Sequence, residues 1–163
     1  MDTVHIKKMI SIDPGSSCTG IALWEDGKLI DASTIIPPHF LHWTVRAKII
    51  STYIGQIIKY WKPDVVAAEK GIYRGKANEV LLSLLSMITL EALEYGLTIA
   101  EVNQSTLKAH MGSGRFEKLD VAQAVVDKLT TIKEKNIIKK VIKAEEWDKS
   151  DAAAVGIWYY ETH

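Results

Sequence analysis

The sequence predicts an α/β fold, a mixed five-stranded sheet flanked by helices. Two observations carry this. Three short apolar runs follow one another near the N-terminus with turn signals between them. From residue 44 onward, segments of helical spacing alternate with short apolar runs. The first pattern reads as an antiparallel meander and the second as βα units, so the sheet is mixed and both faces need helical cover.

Each element has its own signal. Lys8 to Asp13 is a mostly apolar strand that ends on Asp13-Pro14-Gly15, a turn signal. Thr19 to Trp24 alternates Gly, Ile, Ala and Leu as a second strand, and Glu25-Asp26-Gly27 turns it into a third, Lys28 to Ile36. Pro37-Pro38 stops that strand. Thr44 to Trp61 carries apolar residues at 45, 49, 50, 53, 54, 57, 58 and 61, which is helical spacing. Pro63-Asp64 breaks the helix, and Val65 to Glu69 follows as a short buried strand. Asn78 to Tyr95 is a helix apolar on nearly every side, closed by Gly96, and Leu97 to Val102 is the fifth strand. Lys118 to Leu129 and Asp148 to Tyr160 are the last two helices. No repeat, low-complexity tract or linker divides the chain, so residues 1–163 are expected to form one domain.

Composition narrows the class. Nearly half of the 163 residues are apolar (47%) and a quarter are charged, which excludes wholesale disorder. The longest apolar stretch, Val80 to Leu93, is broken by Ser83, Ser86, Thr89 and Glu91 and is too short and polar to cross a bilayer. The N-terminus shows no signal-peptide pattern. A lone cysteine, Cys18, suits a reducing cytosol, has no Cys or His at ligand spacing, and reads as small packing. The 20 basic and 20 acidic residues cancel, which argues against a binder held by bulk positive charge.

Four acids stand out by position. Asp13 ends the first strand. Glu69 ends the fourth, which can pair beside the first and bring Glu69 next to Asp13. Asp148 and Asp151, three apart at the start of the last helix, share a face. Crowded carboxylates repel one another, and divalent cations remove that cost; hard oxygen ligands favour Mg²⁺ or Mn²⁺. A pair of such ions orients water and stabilises the leaving oxygen in phosphodiester hydrolysis. Plainer readings stand beside this one. Asp13 before Pro-Gly is also a turn former, and Asp148 or Asp151 is also a cap or dipole partner. Glu69 ending a Val-Val-Ala-Ala strand is costly without a partner.

The segment Ile10-Ser11-Ile12-Asp13-Pro14-Gly15-Ser16-Ser17-Cys18-Thr19-Gly20 resembles the opening strand of RuvC-type Holliday junction resolvases. Pro63 to Lys70 resembles that family's second acidic motif. Lys108, Gly112-Ser113-Gly114-Arg115 and Lys118 resemble its basic loop running into a helix. Asp148-Lys149-Ser150-Asp151-Ala152-Ala153-Ala154 resembles its closing motif. The resemblance implies an RNase H-like fold, a cytoplasmic homodimer and Mg²⁺-dependent cleavage of four-way DNA junctions. Asp13, Glu69, Asp148 and Asp151 would then hold two Mg²⁺ ions, with Mn²⁺ as a substitute, and Lys118, less surely Lys108, would steady phosphate charge. The helix 78–95 supplies the candidate dimer face; a fully buried core helix is its other reading. The family's aromatic wedge near the second motif falls on Ile72 or Tyr73, with Tyr73 better able to stack on a base.

The basic residues cluster. Lys70, Arg74 and Lys76 have no acid among them, and with Tyr73 they form one candidate DNA contact. Lys108, Arg115 and Lys118 surround a flexible Gly112-Ser113-Gly114, whose amides can approach phosphates. The Lys-rich stretch 130–146 is longer than the family leads one to expect; it is either an amphipathic helix touching DNA or a solvated face. His110 and His163 read as surface histidines. Three rivals remain open: an RNase H-like nuclease acting on RNA or other branched nucleic acids, an actin-like phosphotransferase, and a catalytically dead junction binder. The second needs two such domains, more than 163 residues hold.

Overall fold

The structure, a computed structural model, describes residues 6–71 and 76–163, with side chains of the second range described from residue 79. Its strands are β1 (Lys8–Asp13), β2 (Thr19–Glu25), β3 (Lys28–Ile35), β4 (Val65–Lys70) and β5 (Ile99–Asn103). Its helices are α1 (Trp43–Trp61), α2 (Lys76–Leu93), α3 (Gln104–Met111), α4 (Lys118–Lys128), α5 (Ile132–Ala144) and α6 (Trp147–Thr162). The strands form one sheet in the order β3-β2-β1-β4-β5. β1, β2 and β3 run antiparallel; β4 lies parallel to β1, and β5 parallel to β4. The mixed sheet predicted from the residues is the one observed, and its boundaries differ from the sequence reading by a residue or two.

Positive φ at both Asp26 (49°) and Gly27 (73°) makes the β2–β3 connection a tight hairpin turn that matches strand twist. The start of β4 is tied to the start of β1 by Asp64, whose carboxylate accepts from the Lys7 and Lys8 amides at 2.8 Å each. That clamp sets the register in which Ile12 lies opposite Ala68, so the next residues, Asp13 and Glu69, emerge side by side.

The sheet's two faces bury separate cores. On one, Ile10, Ile12, Ile21, Val66 and Ala68 pack under α1 and α2. On the other, Met9, Ala22, Trp24, Ala67 and Val102 pack under α6, with α4 and α5 outside it. α6 lies very close to the sheet because its inner residues are small. The run Ala152-Ala153-Ala154 is fully buried, and Gly156 faces the Trp24 indole with no room for a methyl group. One hydrogen bond crosses this layer, from Ser11 Oγ to the Ala152 carbonyl at 2.7 Å, and Trp24 Nε1 within the sheet donates to the same Ser11 Oγ at 2.8 Å.

Two segments differ from the sequence reading. α3 falls where only a basic loop was expected; eight residues with Leu107 and Met111 as its buried pair give too little periodicity to read. The Lys-rich stretch is half core. α5 buries Ile138, Val141 and Glu134 and covers the outer edge of β3. Glu134 is 3% exposed and accepts from Leu29 N at 2.9 Å on one oxygen and from Thr131 N, Thr131 Oγ1 and Thr130 Oγ1 on the other. Burial works to raise its pKa, but these donors outweigh burial and hold it below its ordinary value. The stabilisation is therefore present above the unfolded carboxylate's pKa of 4.5 and is lost as pH falls through the folded value. Glu134→Ala is expected to cost about 1–3 kcal/mol in urea unfolding at pH 7, because it leaves buried donors unsatisfied. The gap between wild type and variant should close as the pH of the titration is taken below 4.5.

Candidate active site

Three elements deliver the four acids to one place. Asp13 and Glu69 sit at the ends of the adjacent parallel strands β1 and β4, and strand alternation turns both toward the α6 face. Asp148 and Asp151 lie in the first turns of α6. Gly20, paired with Asp13 across β1 and β2, lies directly beneath the Asp148 carbonyl, and a Cβ there would collide with it. The β1–β2 loop is closed by Thr19, whose hydroxyl donates to the Gly15 carbonyl at 2.8 Å and accepts from the Gly15 amide at 3.2 Å.

The electrostatics show the crowding. Burial pushes the Asp13 carboxyl well above its ordinary value, and Glu69, Asp151 and Asp148 push it further. Glu69 rises from 4.5 to about 7, through burial first and then through Asp151, with Lys108 and Lys118 opposing. Burial also raises Asp151 against the pull of Lys118. Lys118, the first residue of α4, reaches Asp151 Oδ2 at 3.4 Å. Burial works to lower its pKa, yet Asp151, Asp148 and Asp13 together raise it. Lys118 thus stays charged beside the acids.

Cys18 belongs to this cluster, which the sequence reading missed. Its thiol lies within electrostatic reach of the Asp148 carboxylate. Burial and then that carboxylate push it up to about 12. No spacing rule flags a cysteine five residues after Asp13; its proximity to Asp148 exists only once α6 has docked.

The other expected contacts are placed unevenly. Lys108 on α3 acts on both Glu69 and Asp151. Lys70 follows Glu69 and therefore points to the opposite sheet face, where it pairs with Glu101 at 2.6 Å. The loop read as flexible is instead a hydrogen-bonded turn. The Gly112 and Ser113 amides donate to the Lys108 carbonyl at 3.2 and 3.1 Å, so neither is open to a phosphate. Gly112 has φ of 148° and packs against Phe116, which explains a glycine there. Gly114 and Arg115 lie on the exposed tip of the turn, where the Arg115 amide donates to Ser113 Oγ at 3.2 Å. Ile72, Tyr73 and Arg74 lie outside the described residues, as does the side chain of Lys76. His110 pairs with Glu161 at 2.7 Å, thirteen residues and about 20 Å along α6 from Asp148. His163 stacks on Tyr159.

Among the described residues, no three of His, Cys, Asp or Glu form a ready-made ligand group. The fit to a metal is one of chemistry. Four carboxylates, three with pKa values raised by burial, form an all-oxygen set whose repulsion a hard divalent cation offsets.

The family model described as Crossover junction endodeoxyribonuclease RuvC matches residues 9–159. The chain belongs to the RuvC family. Its relatives include crossover junction endodeoxyribonucleases RuvC of Thermomicrobium roseum, 24% identical over 94% of this chain and 93% of that one, and of Citrifermentans bemidjiense, 30% identical over 91% and 89%. Among solved structures, Thermus thermophilus RuvC in complex with Holliday junction substrate superposes with a TM-score of 0.69 at 17% identity, covering 93% of this chain and 91% of that one. The yeast mitochondrial Holliday junction resolvase Ydc2 superposes with a TM-score of 0.65 at 14% identity, covering 93% and 76%. These matches span the sheet and the helices that carry the four acids, and they show the RNase H-like resolvase fold expected from the motifs.

Two outcomes follow from the raised pKa values. A raised folded pKa means stability is full below the unfolded value and lost as pH rises through the folded one. For Glu69 that window runs from 4.5 to about 7. Asp13→Asn should therefore raise the Tm of the metal-free protein at pH 8 by a few degrees. Mg²⁺ should bind wild type more tightly as pH rises through about 7, because a carboxyl must lose its proton first; calorimetric titration at pH 6 and pH 8 measures this.

Proposed function

We propose that this chain is a metal-dependent endonuclease that resolves four-way DNA junctions, its 163 residues acting as one nuclease domain in the cytoplasm. The observation that carries the reading is the convergence of Asp13, Glu69, Asp148 and Asp151 with Lys118, in a chain of the RuvC family. The relatives named above are crossover junction endodeoxyribonucleases, and one solved neighbour holds a Holliday junction. No described helix is long and apolar enough to cross a membrane.

Asp13, Glu69, Asp148 and Asp151 would hold Mg²⁺, with Mn²⁺ as a substitute and two ions as the expected number. When bound, such ions supply Lewis-acid stabilisation of the phosphate oxygens and an activated water. The chain's own residues do the rest. Asp13 and Glu69, fixed on two paired strands, set one side of the ligand group, and Asp148 and Asp151 set the other. Lys118 and Lys108 bring positive charge to the point where the scissile phosphate gains charge in the transition state. Gly114 and Arg115 on the exposed turn tip are the proposed contacts to the DNA backbone, and Tyr73, Arg74 and Lys76 join them on the sequence pattern alone. Gly112 and Ser113 contribute through the shape of the turn.

Two symmetric cuts need two sites, so a homodimer is the natural assembly. α2 supports it. Leu84, Leu85, Ile88 and Ala92 face the core, while Leu90 and Leu93 remain 63% and 51% exposed. Apolar side chains so exposed on an otherwise packed helix suit a second copy.

A cleavage gel comparing a four-way junction, linear duplex and an RNA·DNA hybrid, with and without Mg²⁺, tests the reading. Paired nicks in the junction alone, only with Mg²⁺, are expected. Preferential cutting of the hybrid would overturn it. Asp13→Asn should lower junction cleavage at least roughly 100-fold, more than the loss of a residue that merely supports a ligand. Intact Mg²⁺-dependent nicking by that variant would show the acids to be misassigned.

A further inference from the structure

α5 carries Lys133, Lys135, Lys139, Lys140 and Lys143, and its one acid, Glu134, is buried in hydrogen bonds to the α5 N-terminus and β3. Among the described residues none of these five lysines forms an ion pair, whereas Lys48, Lys70, Lys118, Lys128 and Lys149 each do. The charge is not spread evenly. Lys133, Asn136 and Lys140 line a groove of about 620 Å³ between α5 and the edge strand β3. Its acids are Asp31 and Glu146, and Glu146 is already engaged by Lys149 at 2.6 Å. The same two residues, Glu146 and Lys149, flank Trp147 and Asp148 in the chain, so one end of the groove lies at the N-terminal turn of α6, the turn that also carries Asp148.

The geometry points to a second DNA contact: we infer that the β3–α5 groove seats the sugar-phosphate backbone of a substrate arm beyond the cleavage point. This rests on the nuclease reading above and extends the surface that reading uses. Lys133 and Lys140 are seven residues apart, about 10 Å along the helix. That span matches about three base-pair steps at 3.4 Å of rise each along the duplex axis. Ile30, Ala32, Ile137 and Val141 give the lining an apolar part without an aromatic anchor, and beyond the Glu146–Lys149 pair its charge is Lys133 and Lys140 against Asp31. Unpaired lysines on a rigid, core-packed helix suit a uniform anionic polymer, which rewards charge at fixed spacing and needs no apolar pocket.

The test measures binding of wild-type protein to fluorescent four-way junctions in chelator, where no cutting occurs, between 50 and 200 mM salt (roughly the range in which such contacts are read). The double variant Lys133→Ala/Lys140→Ala should lose about two units from the slope of log K against log salt and bind roughly 10- to 30-fold more weakly near physiological salt. The control Lys135→Ala/Lys139→Ala, on α5 but outside the groove, should keep the wild-type slope. Shortening the junction arms should bring wild type down to the groove variant and leave that variant unchanged. Circular dichroism confirms that each variant is folded. An unchanged slope in the groove variant, or an equal loss in the control, overturns the inference. Failure of wild type to prefer junctions over linear duplex strikes the nuclease reading instead. In that case the same slope comparison on duplex still decides the groove.

Discussion

Everything in the site depends on how closely α6 lies against the sheet. The helix brings Asp148 and Asp151 into the reach of Asp13 and Glu69, and it does so because its inner side is alanine and glycine. Gly20 lets the Asp148 carbonyl rest on β2, Gly156 makes room for Trp24, and the Trp24–Ser11–Ala152 hydrogen bonds hold the layers in register. A larger side chain at either glycine would lift the helix and separate its acids from the strand ends. The contact is stabilised by apolar burial along its length and opposed by carboxylate repulsion at its tip.

That opposition is the site's chemical content. A fold optimised only for stability would not place four acids where burial raises the pKa of three of them. Stability is given up at such places in return for a function, which under the proposed reading is affinity for hard cations. The surrounding residues keep the cluster standing without neutralising it. Lys118 pairs with Asp151 and also feels Asp148 and Asp13, and the Cys18 thiol, close to Asp148, remains protonated at physiological pH.

Net neutrality takes on a different meaning in this light. Without the four clustered acids the balance is 20 basic against 16 acidic residues. The excess is not distributed evenly. Much of it is gathered on α5, whose single acid is internal, and on the segments around Lys108 and Lys118. Zero formal charge is a sum over an acidic centre and a basic surround.

Strand and helix order, the Asp13 and Glu69 strand ends and the paired acids of α6 were all legible in the residues, because period-2 and period-3.6 patterning are local properties. So was the family, through four motifs in order. The direction of Lys70 was not, because it depends on which sheet face Glu69 takes and on Glu101 of β5 lying within reach on the other. The Gly112-Ser113 turn read as loose because its hydrogen bonds close on a helix, α3, too short to show periodicity. α5 read as a Lys-rich face because nothing local announces that Glu134 will find Leu29 across more than a hundred residues of chain. Sequence alone determined which groups are present and on which elements. Only tertiary structure decided which of them meet: the contact of Cys18 with Asp148, the rise of Glu69 and the burial of Glu134 all come from long-range packing that no local pattern encodes.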